Sequence, residues 1–252
     1  GELWTRPIRD AGPGAAYYRP VALTVMSGLG RLGPWAIHGC TLVVHVLSAV
    51  LLTRLLSDLR WPLVGGLVFA VHPMVSEVLA WCSALPDALA ALLGLLCICV
   101  WRRSVALAMF VLFIGCLCKE TAALFPLIFG AAGMLGRRWG WPGLLSCSAI
   151  AALRLLAGVS MSSDWMAKWD MAPSALAWSV GGLVWPLPLT AVRDLWVVPS
   201  SMYLIAGGLV LLMTWFGRRS RPALSGIALI LAAPALAVPV MLDGYLVAER
   251  YM

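Results

Sequence analysis

Residues 86–118 read PDALAALLGLLCICVWRRSVALAMFVLFIGCLC, and this stretch decides the fold. Two apolar runs, 86–101 and 104–118, are separated only by a short basic turn at Arg102-Arg103. Runs that are this apolar, with a single charge at Asp87, have the composition of helices that cross a lipid bilayer, although each is shorter than the ~20 residues of a standard span. The stretch therefore predicts two adjacent transmembrane helices joined by a charged turn.

The same pattern recurs along the chain. Of its 252 residues, 62% are hydrophobic and 12% are charged, against about 45–50% and about 25% in soluble domains, and the mean hydropathy is +0.93. We therefore expect an all-α, polytopic integral membrane protein with about eight transmembrane helices. The apolar runs lie at 34–56, 61–79, 86–101, 104–118, 121–136, 141–158, 198–217 and 222–241.

The charges predict the topology. One set of alternating loops carries nine basic residues and one acid, and the positive-inside rule assigns these loops to the cytoplasm. The other loops and both chain ends then face the exoplasm, and topology alone explains the net charge of +7, so no nucleic-acid partner is implied. The cytoplasmic set is Arg54, Asp58 and Arg60; Arg102 and Arg103; Arg137 and Arg138; and Arg218, Arg219 and Arg221.

The predicted organisation is one transmembrane domain over 1–252, read as the middle of a longer protein. Residues 1–33 form an exoplasmic loop with an interfacial helix at 17–31, 34–158 form six spans, and 198–241 form two. Between them, 159–197 form an exoplasmic loop whose apolar part, 176–190, is broken at Trp185-Pro186. We expect an interface-lying or re-entrant helix there, because a crossing would place the basic loop at 218–221 outside.

Ionisable groups near membrane depth are the candidate functional residues, because each is costly there unless it is paired or used. His72-Pro73 ends a span, Glu77 follows about one turn later, and Asp87 comes directly after Pro86. These residues fit a substrate site, and equally a helix end with a capping acid. Lys119-Glu120 fits either a buried ion pair or a phosphate contact.

Two histidines and the cysteines favour structural roles. His38 and His45 are seven residues apart and share a helix face, and we favour core histidines that hydrogen-bond to neighbouring helices. Cys97-x-Cys99 and Cys116-x-Cys118 lack the spacing of a zinc site. The sequence therefore predicts no metal centre.

An ordered series of motifs resembles the transmembrane part of the glycosyltransferase C superfamily. The nearest group is the transmembrane-and-tetratricopeptide-repeat O-mannosyltransferases and their bacterial relatives. The chain departs from that pattern at Thr41, where the family usually has Asn, and at Leu85, where it has Arg. The motifs are Tyr18-Arg19-Pro20; Pro34-Trp35 with His38 and His45; Phe69-Ala70-Val71-His72-Pro73 with Glu77, Trp81 and Asp87; Lys119-Glu120 with Pro126; Trp185-Pro186-Leu187-Pro188-Leu189; and Ala248-Glu249-Arg250-Tyr251.

The resemblance implies an enzyme that moves a sugar from a polyprenyl-phosphate carrier to an exoplasmic protein hydroxyl or glycan. The alternative is a non-catalytic transporter or scaffold for lipid-linked intermediates. The family's catalytic acidic pair would precede Gly1, so the catalytic residues are unknown and the chain alone is expected to be inactive. Arg19, Lys119 and Arg250 are the expected phosphate contacts, and His72, Glu77, Asp87 and Glu120 complete the expected substrate-binding set.

Partners and location follow from the same resemblance. We expect a lipid-linked sugar donor, an exoplasmic acceptor and membrane lipid as partners. No cofactor is firmly implied, and a divalent cation is left open. With sixteen arginines and only two lysines, the composition favours a bacterial inner membrane, with the endoplasmic reticulum membrane as the alternative.

Overall fold

The computed structural model describes residues 18–57, 60–126, 172–182, 193–194, 200–219 and 245–247, with isolated positions at 145, 148–149, 152 and 227. This part of the chain is almost entirely helical, which confirms the all-α prediction. The helices are α1 (Pro20–Gly30), α2 (Pro34–Leu55), α3 (Pro62–Val71), α4 (Ser76–Ala80), α5 (Leu85–Trp101), α6 (Val105–Cys118), α7 (Ala172–Gly182) and α8 (Ser200–Gly217).

A short strand pair is the local exception to the helical fold. Strand β1 (Arg193–Asp194) pairs antiparallel with β2 (Tyr245–Val247). Strands of two and three residues are too short to show the alternation of apolar and polar residues that indicates a strand in a sequence. The sequence therefore could not predict this pair.

Several helices qualify as membrane spans by length and composition. Pro34–Leu55 and Cys82–Trp101 each qualify alone, and Pro62–Val71 with Pro73–Ala80, bent by 49°, would be a third if the pair is one broken span. Helix α6 and the Ser200–Trp215 part of α8 are shorter apolar helices. The structure thus shows two or three of the eight predicted spans. Apart from the isolated positions given above, the predicted runs 141–158 and 222–241, and most of 121–136, lie outside the described residues.

Proline sets where many of these helices begin. Its missing N–H is harmless in the first turn, and its fixed φ suits a helix start. At the start of α6 the hydroxyl of Ser104 accepts a hydrogen bond from the N–H of Leu107 at 3.2 Å, so a side chain takes the place of proline there. The helix-starting prolines are Pro20, Pro34, Pro62 and Pro86, and Pro73 starts a 3-10 turn, Pro73–Val75.

Helices α2 and α3 pack antiparallel through a glycine. A Cβ at Gly66 would overlap the hydroxyl of Thr53 and lie 3.2 Å from the carbonyl oxygen of Ala49. Toward the other end, the ring of His45 lies 5.0 Å from that of Phe69. Only a residue without a side chain fits at this approach, as is common where membrane helices pack closely.

The stretch at 86–118 forms the predicted helical hairpin. Helices α5 and α6 pack along their length around a buried cluster that includes Cys97, Trp101, Leu112 and Cys116. A Cβ on Gly115 would lie 3.1 Å from Cβ of Leu93, so the two backbones approach closely. The cysteines here are packing residues, as the sequence indicated.

Helix α2 carries most of its large apolar residues outward, although Ile37 and Val44 are buried. Thr41, His45 and Ser48 are buried, and the two hydroxyls donate to carbonyls four residues earlier, each at 2.9 Å. A water-soluble helix would have the opposite arrangement, because burial of the large apolar side chains stabilises a soluble fold. We conclude that lipid covers this face and that the chain is a membrane protein. The outward, exposed residues are Leu42, Val43, Val46, Leu47 and Val50.

Two segments predicted as exoplasmic helices are helical at least in part. Helix α1 falls within the predicted 17–31 segment, and its Pro20 and Ala22 are buried where α1 packs on α2, α5 and α6. It is therefore docked on the bundle. Helix α7 covers the start of the 176–190 segment and packs on α8 through Ala177, Val180 and Ala206. The predicted break at Trp185-Pro186 lies outside the described residues.

Candidate functional site

Four of the seven predicted site residues meet at one end of the helix bundle. Lys119 Nζ contacts Asp87 Oδ1, and Arg19 Nη2 lies 3.4 Å from Glu120 Oε1. We call these four residues the helix-end charge cluster. The first pair spans 32 residues of sequence and the second 101, so folding alone brings them together.

Helix ends position each charge. Asp87 lies in the first turn of α5, where the helix dipole and free N–H groups favour an anion. Lys119 ends α6, where the dipole favours a cation. Because α5 and α6 are antiparallel neighbours, the start of one and the end of the other are adjacent. The backbone thus supports both charges of this pair.

The two ion pairs differ in burial. The side chain of Lys119 is 6% exposed and that of Asp87 is 20% exposed, whereas Arg19 and Glu120 are 16% and 31% exposed. An ammonium as buried as that of Lys119 needs a close carboxylate, because desolvation otherwise costs several kcal/mol. The Arg19–Glu120 pair is more exposed to solvent, so it contributes less to stability.

The cluster alternates cations and carboxylates, and its formal charge is zero. Guanidinium and ammonium groups donate charge-assisted hydrogen bonds to phosphate, and carboxylates accept hydrogen bonds from sugar hydroxyls. Both residues of Lys119-Glu120 are engaged in ion pairs, although with separate partners rather than with each other. The ion-pair interpretation is therefore the one that this structure displays.

The other three predicted residues are placed differently. His72 precedes the Pro73–Val75 turn, and its Nδ1 accepts a hydrogen bond from the N–H of Met74 at 3.2 Å. Glu77 lies on α4, but only its backbone is described, and Arg250 lies outside the described residues. Their roles in a substrate site stay predictions.

The two histidines of α2 have the structural role that we favoured. Pro73 has no N–H and the N–H of Met74 turns to His72, so the last carbonyls of α3 lose their helical donors. The ring Nε2 of His45 lies 3.1 Å from the Ala70 carbonyl, and Nδ1 of His38 lies 3.2 Å from the Leu79 carbonyl near the end of α4. Each histidine thus satisfies a backbone group that a helix end exposes.

One contact between side chains could not be predicted from the sequence. The Sγ of Cys82 lies 3.2 Å from Nε2 of His38. The two residues are 44 positions apart, and only the packing of α2 against α4 and the turn that follows it joins them. Nothing in the local sequence signals this pair. Within the described ranges, no three His, Cys, Asp or Glu side chains lie close enough to hold a metal ion.

Comparison with known proteins gives partial relatives. Residues of this chain are 34% identical over 106 residues to the mouse protein O-mannosyl-transferase TMTC2, a match covering 38% of this chain and 13% of that protein. The chain is 26% identical over 167 residues to the Drosophila melanogaster protein O-mannosyl-transferase Tmtc2, and this match covers 54% of this chain and 18% of that protein. The chain thus spans less than a fifth of the length of these relatives.

These matches bear on two predictions. They support the resemblance to the O-mannosyltransferase group. Both organisms are animals, so the bacterial inner membrane receives no support. No family model and no solved structure matches the chain.

Proposed function

We propose that this chain forms part of a membrane glycosyltransferase that moves a sugar from a polyprenyl-phosphate carrier to an exoplasmic acceptor hydroxyl. The helix-end charge cluster carries the proposal, because it joins four residues that the sequence selected from separate motifs. The partial similarity to two protein O-mannosyl-transferases supports the same class of reaction.

The proposed chemistry needs a cation for the departing lipid phosphate and a carboxylate near the acceptor. Lys119 contacts Asp87 and is the more buried of the two cations, which suits a fixed positive charge. Arg19 is paired with Glu120 at 3.4 Å in a more exposed position. We assign Arg19 as the cation that exchanges its carboxylate for the phosphate of the donor, and Lys119 as the charge that stays in place.

A second acid, Glu77, belongs to the proposed site. It lies on α4, directly after the bend at Pro73 and four residues before Trp81, whose half-exposed ring suits packing against a sugar. A carboxylate there would accept hydrogen bonds from sugar or acceptor hydroxyls and would stabilise positive character at the anomeric carbon.

The proposed function includes the predicted topology of eight membrane spans. Eight spans would place the helix-end charge cluster and α4 on the exoplasmic side, where a lipid-linked donor would enter laterally. With animal relatives, the endoplasmic reticulum membrane is the membrane that we propose.

The test is sugar transfer by the protein at its full natural length, in membranes, from radiolabelled mannosyl polyprenyl phosphate to a Ser/Thr-rich peptide. Glu77→Gln should lower turnover at least about tenfold, equivalent to ~1.4 kcal/mol of transition-state stabilisation. Asp164→Asn, a loop acid with no family counterpart, is the matched control and should have no effect. Carrier binding without any transfer by folded protein would instead establish the transporter or scaffold alternative.

A further inference from the structure

A second chemical feature lies at the turn between α4 and α5. Cys82 opens the 3-10 turn Cys82–Ala84, and its half-buried side chain lies between the exposed residues Trp81 and Ser83. Its Sγ is 3.2 Å from Nε2 of His38 and 4.0 Å from the carbonyl oxygen of Pro34. The thiol is therefore in direct contact with a basic ring nitrogen at the end of a span.

The Leu79 carbonyl sets the tautomer of His38. A carbonyl oxygen can only accept, so Nδ1, which lies 3.2 Å from it, carries the ring hydrogen. The neutral ring then has its lone pair on Nε2, directed at the thiol of Cys82. A nucleophile, a base within hydrogen-bond reach and a third group that orients the base form the arrangement of an activated nucleophile.

We propose that Cys82 is a reactive thiol, with His38 as its base, that undergoes exchange with disulfides. The proton on Sγ passes to Nε2 of His38, and the thiolate attacks one sulfur of a disulfide R–S–S–R. The S–S bond breaks as the Cys82–S–S–R bond forms, and the departing thiolate takes the proton as R–SH. One disulfide is consumed and one is formed, so the exchange needs no other oxidant.

The other cysteines in the described part of the chain lie within helices. Cys97, Cys116 and Cys118 are buried in the apolar packing of α5 and α6, where no disulfide in water reaches them. Cys40 and Cys99 are partly exposed, as Cys82 is, but they lie inside α2 and α5, the two helices that qualify as membrane spans. Cys82 lies instead at the bundle end, five residues before Asp87 of the helix-end charge cluster. The inference is independent of the proposed glycosyl transfer.

The test is the rate at which glutathione disulfide modifies each cysteine of the full chain in detergent micelles, read by mass spectrometry of the cysteine peptides. Cys82 should form the mixed disulfide fastest. In His38→Gln the side-chain amide can still donate a hydrogen bond to the Leu79 carbonyl, but it has no basic nitrogen. This variant should slow modification of Cys82 at least about tenfold. His45→Gln is the matched control, because His45 lies on the same helix face and also bonds a carbonyl, through Nε2, but contacts no thiol in the described part of the chain.

A second variant tests the pair without altering His38. In the Cys82→Ser background, Ser83→Cys places a thiol in the same turn, one residue along. It should react at the slow rate of an ordinary exposed thiol. The proposal is overturned if this thiol reacts as fast as Cys82, if His38→Gln leaves the Cys82 rate unchanged, or if the two histidine variants slow it equally.

Discussion

Removal of the Lys119 charge is the sharpest test of the helix-end charge cluster. Lys119→Met keeps the length and apolar stem of the side chain and deletes only the ammonium. The Asp87 carboxylate, 20% exposed, then loses its partner. Breaking a buried pair costs about 3–5 kcal/mol because a charge is left uncompensated. The Asp87 carboxylate keeps its favourable interaction with the helix dipole in the first turn of α5, which is worth about 0.3–1 kcal/mol. We therefore expect the free energy of unfolding to fall by about 2–4 kcal/mol.

The double variant separates the pair from its packing. Lys119→Met with Asp87→Asn removes both charges, and the Asn side chain still accepts hydrogen bonds at the helix start. The double variant should recover at least half of the stability that Lys119→Met loses. Unfolding in mixed micelles, titrated with sodium dodecyl sulfate, measures these free energies.

The second ion pair supplies the comparison. Arg19→Met breaks a more exposed pair, so it should cost about 1 kcal/mol or less. Equal losses from Lys119→Met and Arg19→Met would refute the distinction between a fixed and an exchangeable cation. So would a double variant no more stable than Lys119→Met alone.

Three further predictions concern the bundle. His45→Leu leaves the Ala70 carbonyl without its side-chain donor and should lower the free energy of unfolding by about 1–3 kcal/mol in the same micelle titration; an unchanged value would contradict the role of His45. Gly66→Ala drives a methyl into the Thr53 hydroxyl and should cost about 1–3 kcal/mol, whereas Gly39→Ala, where a Cβ meets nothing within 4 Å, should be neutral or stabilising. Introduced cysteines should label from opposite sides of the membrane in two sets, and outside labelling at 219 would mean that 176–190 span. The cytoplasmic set lies beside Arg103, Arg138 and Arg219, and the exoplasmic set beside Glu77, Lys168 and Asp243.

Local pattern predicted the helices well. Apolar runs that end at charges or prolines predict α2 and the α5–α6 hairpin closely, because lipid requires both an apolar surface and a satisfied backbone. The 49° bend between α3 and α4 has its cause at Pro73, because proline removes a donor and strains the preceding turn. The docking of α1 was not predictable, since Pro20 and Ala22 are no different in sequence from surface residues.

The residues of the helix-end charge cluster stand out in the sequence, but their pairing does not. Lys119-Glu120 stands out as two charges in an apolar context, and Asp87 follows a helix-starting proline. Adjacent opposite charges suggest one shared ion pair, yet Lys119 contacts Asp87, and Glu120 contacts Arg19, 101 residues away. Only the packing of α1 and the hairpin determines those partners. The Cys82–His38 contact is hidden for the same reason.

The bend at Pro73, between α3 and α4, also constrains biogenesis. If α3 entered the bilayer alone, the Ala70 carbonyl would lie in hydrocarbon without a donor, at a cost of several kcal/mol. Its donor, His45, belongs to the preceding helix α2. We therefore expect α2 and α3 to enter the bilayer together, as one hairpin.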